Sequence, residues 1–201
     1  MPSRTRERLI DVARQLFVRQ GIENTTMNDI ATASDRGRRT IYTYFRTKSE
    51  IYQAVVEAEA GKVLRDLEER VALWQHPADK LRALMEFRIS VALENMHGYE
   101  VWIKSLFSRD VKRASSVRAM VTDRLYCMID EIVAEGIASG DFIPAQANRV
   151  ASMLTMIVRG SDWTVMREAE RDRYDKWRND CINFIVDAIK APKASDLNRT
   201  Y

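Results

Sequence analysis

The chain has 201 residues, of which 46% are hydrophobic, 30% charged, and only 7 Gly, 4 Pro and 2 Cys. This suits one medium domain, or a small one joined to a larger one, and excludes a chain rich in turns and strands as well as a disulfide framework. The net charge of +3 is unevenly placed: residues 1–48 hold ten Lys/Arg against five Asp/Glu, the remainder 22 against 24, which suggests a basic polyanion-binding head on a neutral-to-acidic body.

The long Ala/Leu/Arg/Glu/Met stretches read as an all-α chain of about nine helices. Leu9, Ile10, Ala13, Leu16 and Phe17 recur at helical spacing from about Arg4 to Gln20, and Gly21 stops that helix. A short second helix, MNDIATA, is capped by Thr25 or Thr26 and turns Met27, Ile30 and Ala31 inward. The turn SDRG leads into a third helix, RRTIYTYF. TKSE then reads as a capping box, with Thr47 as cap and Glu50 three residues on, opening a long fourth helix to about Gln75. Pro77 sits in the first turn of a fifth helix ending near Met96, and a short sixth lies around Tyr99–Phe107. Further helices span about Ser115–Ser139, Pro144–Glu170 and Arg173–Ile189, before a polar tail expected to fray from Lys190. The domains read as 1–48, 49–190 and 191–201.

Three short helices with a tight turn between the second and third make a helix-turn-helix arrangement. Ile41 and Phe45, four apart, share the inward face of the third helix. Arg38, Arg39, Tyr42 and Thr43 then face outward, with Gly37 and Arg38 at a helix start that favours phosphate. Arg bridges guanine bidentately, while Tyr and Thr reach phosphate or a thymine methyl. The rings lock the short helix in place or reach the DNA backbone, and the arginines face DNA.

The stretch TTMNDIATASDRGRRTIYTYFRTKSEIYQAV resembles the DNA-binding signature of the tetracycline-repressor (TetR) family. The matching residues are Thr25, Thr26, Asp29, Ile30, Ala31, Thr40, Ile41, Tyr42, Tyr44, Phe45, Lys48 and Glu50, about the first quarter of the chain. The resemblance implies contacts with a double-stranded DNA operator from Thr26, Arg38, Arg39, Thr40, Tyr42, Thr43 and Lys48, with Arg36 and Gly37 beside them. The sequence departs from the family in the turn. Asp35 stands where a glycine is usual and can still adopt a left-handed conformation, Gly37 replaces the usual Ser cap, and Arg39 replaces a small residue. Arg36, Arg38 and Arg39 together suggest heavy phosphate contact or a guanine-bearing half-site.

The resemblance also implies a ligand-sensing body and a homodimer through the last two helices. Ala147, Val150, Ala151, Leu154, Ile157 and Val158 form one broad apolar stripe, and Tyr174, Trp177, Cys181, Ile182, Ile185 and Ile189 another. Two such helices from each chain make a four-helix interface, with Leu154, Ile157, Val158, Trp177, Cys181 and Ile185 as its candidates. Met and aromatic residues suit an adaptable cavity for a small, moderately hydrophobic effector. Its candidate lining is Met85, Arg88, Asn95, Trp102, Met120, Tyr126, Met156 and Trp163.

No metal pair, phosphate loop or nucleophile elbow occurs, so neither cofactor nor enzymatic activity is expected. Two isolated cysteines, the absence of a signal-peptide core and the absence of a membrane-length apolar run point to the cytoplasm and away from the membrane. The reading is a ligand-released repressor. A helical enzyme with an incidental basic head, or a non-specific architectural DNA-binding protein, are its rivals.

Overall fold

The computed structural model describes residues 4–93, 101, 111–160 and 171–191. Eight helices run along these residues: α1 Arg4–Gln20, α2 Met27–Ala33, α3 Arg38–Tyr44, α4 Lys48–Ala72, α5 Pro77–Leu93, α6 Val111–Ala138, α7 Pro144–Gly160 and α8 Arg171–Ile189. The all-α expectation is met. The one strand-type pairing among the described residues is an isolated antiparallel bridge between Phe142 and Lys190. The short helix expected around Tyr99–Phe107 lies outside the described residues except for Val101, which is helical and buried.

The chain divides into two compact units, one of residues 1–64 and 95–121, the other of residues 65–94 and 122–201, the boundaries falling within α4 and α6. In the first unit α1 contributes Leu9, Ala13, Leu16 and Phe17 to the core, α2 Ile30 and Ala31, α3 Ile41, and α4 Ile51, Ala54 and Val55. The Phe17 ring meets Tyr52 edge-on at 5.8 Å, and Arg6 lies 5.2 Å from the centre of the buried Phe45 ring. Burying each such apolar side chain contributes roughly 1.5–3 kcal/mol, which sets these short helices where their own propensity would not.

In the second unit α5 and α7 both pack on α8. Leu81, Leu84 and Phe87, then Ala147, Ala151 and Leu154, then Ile182, Val186 and Ile189 are buried there. Gly136 allows the close approach of Phe142: a Cβ at this position would fall 2.1 Å from the Phe142 ring. The link from α6 to α7 is stitched to the end of α8, with Ile143 N–H donating to Ile189 O at 2.9 Å and Ala191 N–H to Asp141 O at 2.7 Å. Of the tail expected to fray from Lys190, Lys190 and Ala191 are instead held by backbone pairing that apolar periodicity does not register, and 192–201 lie outside the described residues.

Helix boundaries moved for local reasons. The fourth helix ends at Ala72, not Gln75, because Leu73 and Trp74 close it with bonds to the carbonyls three residues back. The capping box at its start is also offset. Thr47 Oγ1 accepts from Glu50 N–H at 3.1 Å, but the Glu50 carboxylate accepts from Arg46 N–H at 2.7 Å. The sixth of these helices starts at Val111, before the expected Ser115.

Candidate nucleic-acid interface

The alternative caps of the second helix are resolved by what each threonine touches. Thr26 is the cap: its hydroxyl accepts from Asp29 N–H at 3.2 Å while its own N–H donates to the Asp29 carboxylate at 2.8 Å, a complete capping box. These bonds, the Thr26 backbone N–H first, hold the Asp29 carboxyl below its ordinary range. Thr25 is buried instead and donates its hydroxyl to Gly21 O at 2.8 Å, closing the turn after α1. Gly21 itself has φ +83°, the left-handed conformation that ends a helix.

The turn between α2 and α3 runs through Ser34, buried and donating its hydroxyl to Ala31 O at 3.0 Å. Asp35 adopts φ +53°, the left-handed conformation open to it in place of the usual glycine. Gly37 caps α3 with extended backbone and no side-chain bond. Ile41 is fully buried and Phe45, the C-cap, is 3% exposed. Arg36, Gly37, Arg38, Arg39, Tyr42 and Thr43 are exposed, and Thr40 is half-buried. Tyr42 keeps 46% of its surface open. Thr43 Oγ1 donates back to Arg39 O at 3.0 Å, leaving its methyl and lone pairs outward. The helix therefore has an apolar anchor on one side and a water-facing set of arginines and hydroxyls on the other. Tyr44 is half-buried between the two.

Residues 9–55 match the family model for bacterial regulatory proteins of the tetR family. The match takes in most of α1, all of α2 and α3 and the first turns of α4, so it is the head of the chain that is similar to the tetR family. Over 88 residues the chain is 33% identical to the HTH-type transcriptional regulator AcrR of Shigella flexneri, covering 43% of this chain and 40% of that one. Over 69 residues it is 39% identical to TcmR of Streptomyces glaucescens, covering 34% and 30%. The chain thus spans about two fifths or less of the length of these curated relatives. The fold likeness reaches further. A transcriptional regulator from Cytophaga hutchinsonii superposes with a TM-score of 0.67 at 19% identity, over 92% of this chain and 98% of that one. The regulator FadR of Bacillus subtilis, solved with stearoyl-CoA, gives 0.62 at 20%, over 91% and 98%.

Thr26 is exposed at the start of α2, as Arg38, Arg39, Tyr42 and Thr43 are on α3. Lys48, the last of the interface positions implied by the resemblance, is different. It is half-buried, and its ammonium donates to Ile22 O at 2.7 Å and to Glu23 O at 3.2 Å.

Four of the residues named for an effector cavity have described side chains. Met85 is buried, Arg88 and Tyr126 are half-buried, and Met120 is exposed. Asn95, Trp102 and Trp163, and the side chain of Met156, lie outside the described residues. In the second unit a groove of about 340 Å³ is lined by none of them. Its floor holds Val71, Met128 and Ile132, and its rim carries ion pairs. Arg124 reaches Glu68 at 2.7 Å and Glu131 at 3.1 Å, and Lys80 reaches Glu135 at 2.7 Å. The bond to Glu68 first, then that to Glu131, raises the Arg124 guanidinium above its already high ordinary range. Sequence spacing could not find this rim, because the Arg124–Glu68 and Lys80–Glu135 pairs join α6 to α4 and α5 across more than fifty residues.

Of the dimer candidates, Leu154 is buried within its own chain, and Cys181 and Ile185 are half-buried. The side chains of Ile157, Val158 and Trp177 lie outside the described residues. Two apolar residues that the sequence reading passed over are the open ones: Met153 on α7 is 61% exposed and Phe184 on α8 is 75% exposed. Helical spacing puts Phe184 on one face with Cys181 and Ala188, turned away from Ile182, Val186 and Ile189.

Proposed function

We propose that the chain is a DNA-binding transcriptional regulator, a repressor that binds a palindromic operator as a homodimer and is released by a small, moderately hydrophobic effector. The observation that carries this reading is the outward set of Arg38, Arg39, Tyr42 and Thr43 backed by buried Ile41. A helix so presented enters a major groove with its N-terminal residues at the base edges. Two copies related by a two-fold axis, with recognition helices about 34–36 Å apart, would read two half-sites.

The exposed Met153 and Phe184 favour α7 and α8 as the pairing surface. For the effector, the supported class is an apolar body with an anionic group. The stearoyl-CoA held by the Bacillus subtilis FadR has that chemistry. The effector acts by binding better to a state whose heads are differently spaced, which shifts the population off DNA. α4, which opens at Lys48 beside the head, is the lever.

The test is selection of bound fragments from genomic DNA, followed by competition against random-sequence DNA at fixed salt. A regulator enriches one palindromic motif and keeps a specificity ratio of about 10³ or more. Equal affinity for random DNA would make the chain an architectural binder. Turnover of a metabolite that survives deletion of residues 1–48 would make it an enzyme.

A further inference from the structure

We infer that Lys48 serves DNA binding as a positioning residue. Its ammonium pins the start of α4 to the turn ahead of α2 and thereby sets the pose of the helix-turn-helix, instead of neutralising a phosphate. This rests on the DNA-binding reading above and revises the role the family resemblance implies for this lysine.

The geometry is specific. Two of the three ammonium N–H donors are taken by Ile22 O at 2.7 Å and Glu23 O at 3.2 Å, across some twenty-five residues of chain. The residue is half-buried, and its ammonium is engaged by these two carbonyls. The turn it holds is braced from within. Asn24 Nδ2 donates to Gln20 O at 2.9 Å, Gln20 Nε2 donates to Asn24 O at 3.1 Å, and the Thr25 hydroxyl donates to Gly21 O at 2.8 Å. Ile22 O also accepts from Thr25 N–H at 3.3 Å, so the carbonyl that Lys48 grips is the one that fixes the residue before the α2 cap. From there the connection is direct: Thr26 caps α2, and α2 packs on α3. A displacement of the first turn of α4 is carried through Lys48 to the α2 cap and on to the recognition helix. Charge-assisted bonds to two carbonyls are stiff enough for this, where an apolar contact would slide.

The experiment uses the full chain and the operator fragment recovered by selection. Lys48→Gln and Lys48→Arg are compared with the parent for affinity across a salt series and for amide exchange at Thr25 and Thr26. Positioning predicts that Lys48→Gln lowers affinity about tenfold at every salt concentration. The slope of log K against log salt stays unchanged, and exchange at Thr25 and Thr26 quickens. Lys48→Arg, with donors that reach the same carbonyls, recovers affinity and exchange protection together. A slope made shallower by about 0.9 for each lost phosphate contact, with exchange at Thr25 as in the parent, would overturn the inference. So would an arginine variant that regains affinity while its Thr25 amide still exchanges fast, since charge alone would then suffice. If the parent selects no sequence at all, the regulator reading fails, and the exchange data still decide whether the pin exists.

Discussion

α3 and α8 both present one buried side and one open side, yet what they leave open is opposite in kind. On α3 the buried side is Ile41, and the open side holds Arg38, Arg39, Tyr42 and Thr43. On α8 the buried side is Ile182, Val186 and Ile189, and the open side includes the Phe184 ring. Guanidinium and hydroxyl groups are content in water and give up their hydration only to strong acceptors such as phosphate or base edges. An open phenyl ring has no such reserve and is stabilised only by a second apolar surface. One isolated open ring is ordinary on a protein surface. Phe184 gains weight because α8 packs on α7, which leaves Met153 open as well. The two helices are thus suited to different partners, a polyanion and another protein surface.

The change that should do most damage is Phe184→Arg. If α8 is a two-fold interface, the substitution removes one ring from each chain and sets two like charges together. Each lost ring costs roughly 1.5–3 kcal/mol, so dimer dissociation should rise about a thousandfold or more. Sedimentation would then show a folded monomer with weak operator binding. Because the ring is open in the single chain, the helical signal should hold, and a variant that unfolds but stays dimeric would sink the comparison. Next comes Ile41→Ala, the same kind of cut on the buried side of the other helix. It leaves a cavity in the head and should cost about 2–5 kcal/mol of head stability, read by amide exchange across residues 9–45. Arg38→Ala and Arg39→Ala follow at about 1–3 kcal/mol of operator affinity, with selectivity relaxed at the base each one reads. Should either variant weaken all sequences alike, that arginine is a phosphate contact.

How well the sequence foretold each region follows from the range of the interactions involved. The head was legible because its determinants are local. Thr26 with Asp29, Gly21, Asp35 and the Ile41/Phe45 pair each act within a few residues. The left-handed Asp35 was anticipated through the family resemblance, which sets it where a glycine is usual. Legibility failed where partners lie far apart in sequence. The carbonyls gripped by Lys48, the Arg124–Glu68 and Lys80–Glu135 pairs, and the stitching of Ala191 to Asp141 have no periodic signature. Apolar stripes also left open which side of each stripe turns inward. Leu154 and Ile182 went into the core of their own chain, while Met153 and Phe184, one and two positions away, stayed out.

The smallest effect expected is a pH dependence at the head, and it tests whether an exposed electrostatic cap matters beside the buried anchor. Asp29 is held below its ordinary value near 3.8 by bonds from Thr26, the backbone N–H first and the side chain second. A carboxyl depressed in the folded chain stabilises it at pH above the unfolded value. That stabilisation fades as pH falls toward and through the depressed folded value. Asp29→Asn keeps an oxygen for the Thr26 N–H but removes the charge, and with it the favourable placement at the positive end of α2. The parent should therefore melt slightly above the variant at neutral pH, and the gap should close in acid. A gap that persists unchanged into acid would mean that the shape of the capping box, not the Asp29 charge, sets the start of α2. The head's stability would then rest on Ile41 and its apolar neighbours at every pH.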